Sequence, residues 1–213
     1  MIPGTYNPPM STGAKTVEFL SHQSSSANQS TYTFTDVDFG PDDPTREIIV
    51  IAVFTSGSAA VNSLTVGGVS EYPGSNPGGT FWRVYTPRGT SGDIEIELSA
   101  GATNMFIGVY RVTNRARLGA PSFGQTSYQY SAGTSDADSV STPAGGFALL
   151  FFNKTGTSQP TFTGDFIIDA NISMESARWV VGHTDIITEA DNSSWSATWS
   201  SNSTVLAVAE SYR

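Results

Sequence analysis

The most hydrophobic stretch of the chain is Glu47–Thr55, in which the seven residues from Ile48 to Phe54 are all apolar. Most of them are β-branched or aromatic, and the run is shorter than a typical helix. A strand with one solvated face would alternate apolar and polar residues, whereas a short continuous run indicates a strand buried on both faces. We therefore predict that this segment is a central strand of a sheet.

Other segments alternate strictly, as strands with one solvated face do. In Asp93–Ser99 every second residue from Ile94 onward is apolar, and Thr31–Val37 places Tyr32 and Phe34 between threonines. We find no stretch longer than two turns with apolar residues at helical spacing. Gly, Ser, Thr and Asn are abundant, which suits short strands joined by tight turns. The sequence predicts an all-β fold.

The strand pattern is written twice along the chain, with a period of about 100 residues, which is too long for a solenoid or a propeller. The alignment pairs Ile48–Val53 with Phe147–Phe152, Asn104–Val112 with Thr204–Tyr212, and Trp82 with Trp179. The doubling predicts two half-repeats, residues 16–117 and 122–213, within one β-sandwich domain of residues 16–213.

Two arrangements of the halves fit this pattern: they interleave into one sandwich, or they form two small sandwiches. The linker Leu118–Pro121 is short and has no Pro/Ser-rich spacer. Each half alone would have a thin core without disulfide or metal staples. We predict an antiparallel two-sheet sandwich of jelly-roll type, built from two similar halves.

Residues 1–15 precede the first predicted strand and contain three prolines and two glycines. This composition predicts an extended N-terminal arm without a core of its own. A frayed end is one interpretation. The other is a docking arm that orders on a neighbouring subunit, with Ile2, Tyr6 and Met10 as its apolar anchors.

The charge of the chain argues against nucleic acid and membrane partners. It has ten Lys and Arg residues against 19 Asp and Glu residues, a net charge of −9. A nucleic-acid or anionic-membrane binder needs clustered basic residues. There are no cysteines, which removes disulfides and thiolate metal sites. No signal peptide is predicted, because the N-terminus lacks a cationic and an apolar segment, and no apolar run approaches the roughly 20 residues of a membrane span.

The residues that could carry catalysis are few. The only histidines are His22 and His183, and neither a metal-binding histidine spacing nor a Gly-x-Ser-x-Gly motif occurs. A Ser-His-Asp triad assembles from distant positions, so spacing alone does not decide that case. We predict a binding or structural protein, not an enzyme, and no cofactor; calcium at the acidic turn described next is the one alternative left open.

The sharpest polar cluster is DVDFGPDDPTRE. Asp36, Asp38 and Asp42 supply oxygen ligands at spacings that resemble a calcium loop. Pro41 stands where such a loop needs glycine, and the closing acid, Glu47, opens a strand and not a helix. The alternatives are a calcium site and a solvated acidic turn.

A second acidic group, Asp93, Glu95 and Glu97, lies on one face of a predicted strand. Residues i and i+2 are roughly 6.5–7 Å apart along a strand, within the range of glycosidase carboxylate pairs. Carboxylates on one strand cannot flank a sugar from both faces, however. We predict an outward stripe that aids solubility and blocks edge pairing.

Trp195 and Trp199 share one face of a predicted strand. Exposed, they would form a stacking platform for a glycan. Buried, they would be core residues, as large aromatic side chains in sandwiches mostly are. The sequence leaves both interpretations open.

The succession of LTVGGV, TPRGTSGDIEIELS and MFIGVYRVTNRARLGAP, followed by a second half with W-x-x-x-W and VLAVAESYR, resembles a β-sandwich domain of bacterial surface proteins and tailed-phage virion proteins. The resemblance covers nearly all of Val17–Arg213. It rests on strand and turn patterns, and it brings no catalytic signature.

For a short chain of this kind, the resemblance implies a structural protein of a phage virion, a capsid decoration or head spike. Its expected partners are the major capsid protein or other virion proteins, and further copies of itself. The alternative is a carbohydrate-binding module, or a tail or fibre component, that recognises a bacterial surface glycan.

Overall fold

The computed structural model describes residues 14–55, 59–71, 79–85, 88–114 and 126–212. Every regular element in these ranges is a β-strand, so the predicted all-β fold is confirmed. The strands are β1 (Thr16–Ser25), β2 (Gln29–Asp38), β3 (Glu47–Thr55), β4 (Val61–Val66), β5 (Val69–Glu71), β6 (Gly79–Tyr85), β7 (Ser91–Ala102), β8 (Asn104–Thr113), β9 (Thr126–Thr142), β10 (Phe147–Thr155), β11 (Thr161–Gly164), β12 (Ile167–Met174), β13 (Ala177–His183) and β14 (Asp191–Tyr212).

The strands form antiparallel sheets, three in the described part of the chain. Sheet 1 has the order β1-β8-β3-β6, and sheet 2 has the order β2-β7-β4-β5. Sheet 3 has the order β11-β14-β10-β13-β12, and β9 pairs with β14. Sheets 1 and 2 come entirely from the first half of the chain, and sheet 3 comes entirely from the second half.

Sheet 3 folds back on itself along its longest strand, β14. The first part of β14 pairs with the end of β9, the second part pairs with the beginning of β9, and the register shifts between Thr198 and Ser203. Trp195 from the first part and Val205 from the second part belong to the same buried cluster. The two parts therefore act as two layers that enclose a core between them.

Three cores result. The first lies between sheet 2 and one face of sheet 1, the second between the other face of sheet 1 and sheet 3, and the third inside the folded sheet 3. Along β3, Ile48 and Val50 belong to the first core, whereas Ile49 and Ile51 belong to the second. The prediction that β3 is buried on both faces is confirmed.

The predicted antiparallel sandwich is confirmed, and the structure contains one sheet more than the two expected. Sheets 1 and 2 form a first sandwich, and the folded sheet 3 forms a second. The second core joins the two, which gives each half the cover that it would lack alone. We call the surface on which sheets 1 and 3 meet the inter-sandwich boundary.

The two halves have the same pairing order around their central strands. In the first half Glu47 pairs with Val112, and in the second half Phe147 pairs with Tyr212, each residue 100 positions later. β6 and β13 flank the other side of β3 and β10. In the second half β9 takes the places of β1 and β2, and β14 takes those of β7 and β8.

This register corrects the sequence alignment in two places. Ile49 and Leu149 both face the second core, so the β3–β10 offset is 100 and the predicted alignment is one residue out of step. A slip of one residue moves every side chain to the other face of a strand. Trp82 pairs with Val50, and Leu150 pairs with Gly182, so Gly182 and not Trp179 is the counterpart of Trp82.

Candidate functional site

The first described residues, from which the predicted N-terminal arm would start, are held by both halves of the chain. The carbonyl of Ala14 accepts a hydrogen bond of 2.8 Å from the Asn114 side chain, at the end of β8. Lys15 Nζ donates to the carbonyl of Gly145 at 2.6 Å, in the turn before β10. We call these four residues the arm root. The predicted anchors Ile2, Tyr6 and Met10 lie outside the described residues.

Close to the arm root, the turn between β2 and β3 is built around the buried side chain of Arg46. Its Nη1 lies 3.0 Å from the carbonyl oxygen of Gly40 and 2.8 Å from that of Pro41, and Nη2 donates to the carbonyl of Gly89. Burial lowers the pKa of Arg46, and the charge of Asp42 opposes that shift. A protein cation therefore satisfies the backbone oxygens of this turn.

The carboxylates of the predicted calcium loop have other partners in this turn. Asp38 accepts a hydrogen bond of 2.7 Å from the backbone of Gly40, and Asp42 lies 3.5 Å from Arg46. Asp36 is exposed in a strand bulge. Among the described residues no three metal-ligating side chains form a group that would hold an ion. The geometry gives no support to calcium at Asp36, Asp38 and Asp42, and binding there stays a prediction for titration.

Trp195 and Trp199 are core residues, so the predicted stacking platform is wrong. Only 3% of Trp195 and 7% of Trp199 are exposed. Both rings meet Phe152 edge to face, at centroid distances of 5.8 and 5.9 Å, and the Trp199 indole donates to the carbonyl of Gly133 at 2.9 Å. The two tryptophans do share a face of β14, but that face points into the third core.

The acidic stripe of β7 lies where the sequence predicts it. Asp93, Glu95 and Glu97 are exposed on the outer face of sheet 2, and Thr33 and Thr65 pair with Glu95 on either side. The face is an open sheet surface with carboxylates in a single row. This arrangement fits a solvated stripe, because the three carboxylates lie on one side and cannot flank a bound sugar from both faces.

Sequence reasoning missed a buried polar cluster at the inter-sandwich boundary. The Tyr110 hydroxyl donates to Asp169 Oδ2 at 2.8 Å, and Nδ1 of His183 lies 2.8 Å from the same oxygen. Asp169 reaches this place because it is the bulged residue of β12, between Ile168 and Ala170. The sequence around these three residues contains no recognisable motif. The cluster is therefore visible only in the structure, where β8 packs against β12 and β13.

The chemistry of this cluster suits a structural contact between the two sheets and not catalysis. Burial, followed by the charge of Asp169, raises the pKa of Tyr110 well above its ordinary value. A phenol that keeps its proton donates a stable hydrogen bond, and it is a poor nucleophile. Tyr110 is fully buried, and Asp169 and His183 are nearly so. The cluster ties sheet 1 to sheet 3.

At the other end of the second sandwich, the buried side chain of Lys154 organises the loop that connects β10 to β11. Its ammonium donates to the carbonyl oxygens of Thr155 and Gly156 at 3.0 and 3.1 Å, and to the Ser158 hydroxyl at 3.0 Å. Burial lowers the pKa of Lys154, and the charge of Arg178 adds to that shift. This loop is bonded in turn to the β12–β13 turn, where Gly156 N donates to the Ser176 carbonyl, and to the bend of β14, where the Ser158 and Ser201 hydroxyls meet.

One shallow cavity of about 440 Å³ opens on the outer layer of sheet 3. It lies across β9, β14 and β11, and hydroxyl side chains dominate its lining, among them Ser139, Thr163, Ser194 and Ser196. The Ser194 hydroxyl already donates to Asp165 at 2.8 Å. Its lining also includes Asp138 and Trp195, and this mixed set of groups defines no particular chemistry.

The described residues contain no helix of the length and apolarity that spanning a bilayer requires. No protein-family model matches the chain, and no curated protein matches it. Two solved structures resemble it weakly. The crystal structure of the PBSX exported protein XepA matches with 8% identity and a TM-score of 0.28, over 99% of this chain and 100% of that one.

The second structure is a chain of Sulfolobus Turreted Icosahedral Virus, with 14% identity and a TM-score of 0.26, over 98% of this chain and 99% of that one. At these TM-scores neither likeness establishes a shared fold or a shared function.

Proposed function

We propose that the protein is a structural component of a phage particle, a capsid decoration or head-spike protein, which acts through protein–protein contacts and not through catalysis. The observation that carries this proposal is the arm root, where the first half contributes Asn114 and the second half contributes Gly145. When a segment with a fixed starting point binds a partner, the position of the whole body is fixed as well. A segment joined by a flexible linker leaves the body free to move.

The sequence of the arm fits attachment to another protein. Residues 1–13 contain no Asp, Glu, Lys or Arg. Fully extended, 13 residues reach about 40 Å, enough to cross the footprint of a neighbouring subunit. Prolines reduce the entropy that such a segment loses when it orders, so Ile2, Tyr6 and Met10 would bind an apolar groove at a lower cost.

The expected partners are the major capsid protein or another virion protein, together with further copies of this chain. Virus shells are symmetric, so an accessory protein meets the same surface several times around a symmetry axis. Closed symmetric assembly, for example as a trimer, would present several arms at once. Each arm would then add its contacts without a new diffusional search, which raises the avidity.

The test is to delete residues 1–13 and to count the copies that join particles. We expect the truncated chain to fold, because the core lies within the described strands, and to be missing from purified particles by mass spectrometry. The variant Lys15→Ala/Asn114→Ala keeps the arm and loosens its root, so we expect it to join in reduced number. Full incorporation of the truncated chain would overturn the proposal.

A further inference from the structure

The loops at the end of the second sandwich away from the arm root are hydrogen-bonded into one unit. Ser158 Oγ lies 3.3 Å from Ser201 Oγ, which joins the β10–β11 loop to the bend of β14. Thr204 N donates to Thr155 Oγ1 at 2.9 Å, and Arg178 Nε donates to the Thr157 carbonyl at 2.9 Å. We call residues 155–160 and 200–203 the far-end loops.

The far-end loops point away from the particle if the arm is the attachment. Lys15 contacts Gly145 just before β10 begins, and Thr155 is the last residue of β10. A nine-residue strand advances about 26 Å from its first to its last residue. The two features therefore occupy opposite ends of the same strand.

Lys154, which orders the β10–β11 loop, is an unusual residue for a buried position. Lys154 is fully buried, and among the described residues no carboxylate forms an ion pair with it. Removing an ammonium group from water is costly, and an apolar side chain of similar volume is often more stable at such a place. Loop oxygens and a Trp199 ring with its centroid 6.0 Å from Nζ offset only part of that cost. What the lysine provides is one fixed conformation of the β10–β11 loop, to which the bend of β14 is bonded through Ser158 and Ser201.

Ordered polar loops at the end of a β-sandwich make a recognition surface that loses little entropy on binding. The exposed groups here are the hydroxyls of Thr155, Thr157 and Ser201 and the amides of Gln159 and Asn202. Hydroxyls and amides donate and accept hydrogen bonds, as sugar hydroxyls do. Residues 155–160 and 200–203 contain no Asp, Glu, Lys or Arg, and the neighbouring Arg178 side chain is bonded to the Thr157 carbonyl.

We infer that the far-end loops form a binding site for an uncharged oligosaccharide, such as a neutral stretch of a cell-surface glycan. The sugar would lie on the loop tips, and the Lys154 ammonium beneath would hold the tips in place without touching it. The inference does not require the proposed attachment to a particle, because the site is complete within one chain.

The experiment uses an array of neutral and anionic oligosaccharides, followed by titration calorimetry on the best neutral binder. Lys154→Met keeps the volume of the side chain and removes the loop-ordering charge. We expect this variant to melt at or above the wild-type temperature and to bind at least tenfold more weakly. If the lysine served stability alone, its replacement would not weaken binding while the melting temperature is retained.

Two further variants keep the test decisive if Lys154→Met fails to fold. Gln159→Ala/Asn202→Ala removes exposed amides from the loop tips, and we expect it to weaken binding at least tenfold. Thr31→Ala/Thr33→Ala changes exposed threonines on sheet 2, and we expect no effect. The inference is overturned if no neutral oligosaccharide binds, if only anionic ones bind, or if the loop-tip variant binds as the wild type does.

The same variants separate this inference from the proposed function. Deleting residues 1–13 should leave oligosaccharide binding unchanged, and Lys154→Met should leave particle incorporation unchanged.

Discussion

The Tyr110 hydroxyl donates a hydrogen bond of 2.8 Å to the Asp169 carboxylate across the inter-sandwich boundary. His183 approaches the same carboxylate oxygen from β13, also at 2.8 Å. Nearer the end of the molecule, the Asn104 side chain donates to Glu175 at 2.9 Å, again from sheet 1 to the second sandwich. Hydrophobic burial is non-directional, whereas hydrogen bonds are directional. These contacts therefore set how the two sandwiches are positioned.

Tyr110→Phe and Asp169→Ala should each lower the free energy of unfolding by about 1–3 kcal/mol, because each removes a hydrogen bond between buried groups. In the double variant the loss should be smaller than the sum of the two, since both changes remove the same hydrogen bond between Tyr110 and Asp169. Urea unfolding measures all three, and Asp185→Asn, at an exposed position, is the control. Strictly additive losses would mean that the contact does not couple the sheets.

The stability of the protein at alkaline pH should also depend on Tyr110. Burial raises the pKa of this phenol above its ordinary value of 10.0, so the folded protein holds the proton more tightly than the unfolded chain. The resulting stabilisation is fully present below about pH 10 and is lost as the pH rises toward the folded pKa. Urea midpoints between about pH 9 and 11 should fall less steeply for Tyr110→Phe than for the wild type. Parallel curves would contradict this.

Local pattern predicts the strands that carry the fold, and the reason is visible in β3 and β7. The apolar run gives the bounds of β3, Glu47–Thr55, because a strand covered on both faces has no polar side. The alternation in β7 gives its solvated face, with Ile94 and Ile96 buried and Glu95 exposed. These are properties of a strand and its two faces alone.

Pattern does not say what covers a face, and the errors follow from that. Trp195 and Trp199 do share a face, but β14 folds over so that this face meets Phe152 and not solvent. Asp169 reaches the inter-sandwich boundary through a bulge, whose position no periodicity marks. Arg46 lies between an acidic turn and a strand, and nothing in that spacing shows that its side chain turns inward.

Replacing Arg46 should destabilise the protein strongly. Arg46→Met keeps the side-chain length but removes the buried donor that the carbonyl oxygens of Gly40, Pro41 and Gly89 share. We expect a loss of about 3 kcal/mol, because several hydrogen bonds to one charged group are lost at once. Arg46→Lys should recover part of this, because an ammonium reaches fewer of the oxygens. Urea unfolding measures both variants, and equal losses would contradict the role of the planar guanidinium group.

Calcium should leave the melting temperature unchanged up to millimolar concentration. The turn that carries Asp38 and Asp42 already contains a buried guanidinium, and a second cation beside it would meet its charge. Thermal unfolding of the metal-free protein with and without calcium checks this, and Asp38→Asn/Asp42→Asn is the matched variant. A rise in the wild type that this variant abolishes would establish the calcium site predicted from the sequence.

The two buried tryptophans should respond differently to the same substitution. Each packs against Phe152, so Trp195→Phe and Trp199→Phe both lose ring volume in the third core. Trp199 also loses its hydrogen bond to Gly133, whereas the buried indole nitrogen of Trp195 has no hydrogen-bond partner among the described residues. Removing an unsatisfied buried donor is favourable, and removing a satisfied one is not.

We therefore expect Trp199→Phe to cost about 1–2 kcal/mol more than Trp195→Phe in urea unfolding. Replacement by alanine should cost about 3–5 kcal/mol at either position, because a cavity then remains in the core. Iodide should quench neither residue in variants that retain it as the single tryptophan. Equal costs for the two phenylalanine variants would contradict the difference in hydrogen bonding, and efficient quenching of either tryptophan would place that side chain in solvent and restore the exposed platform.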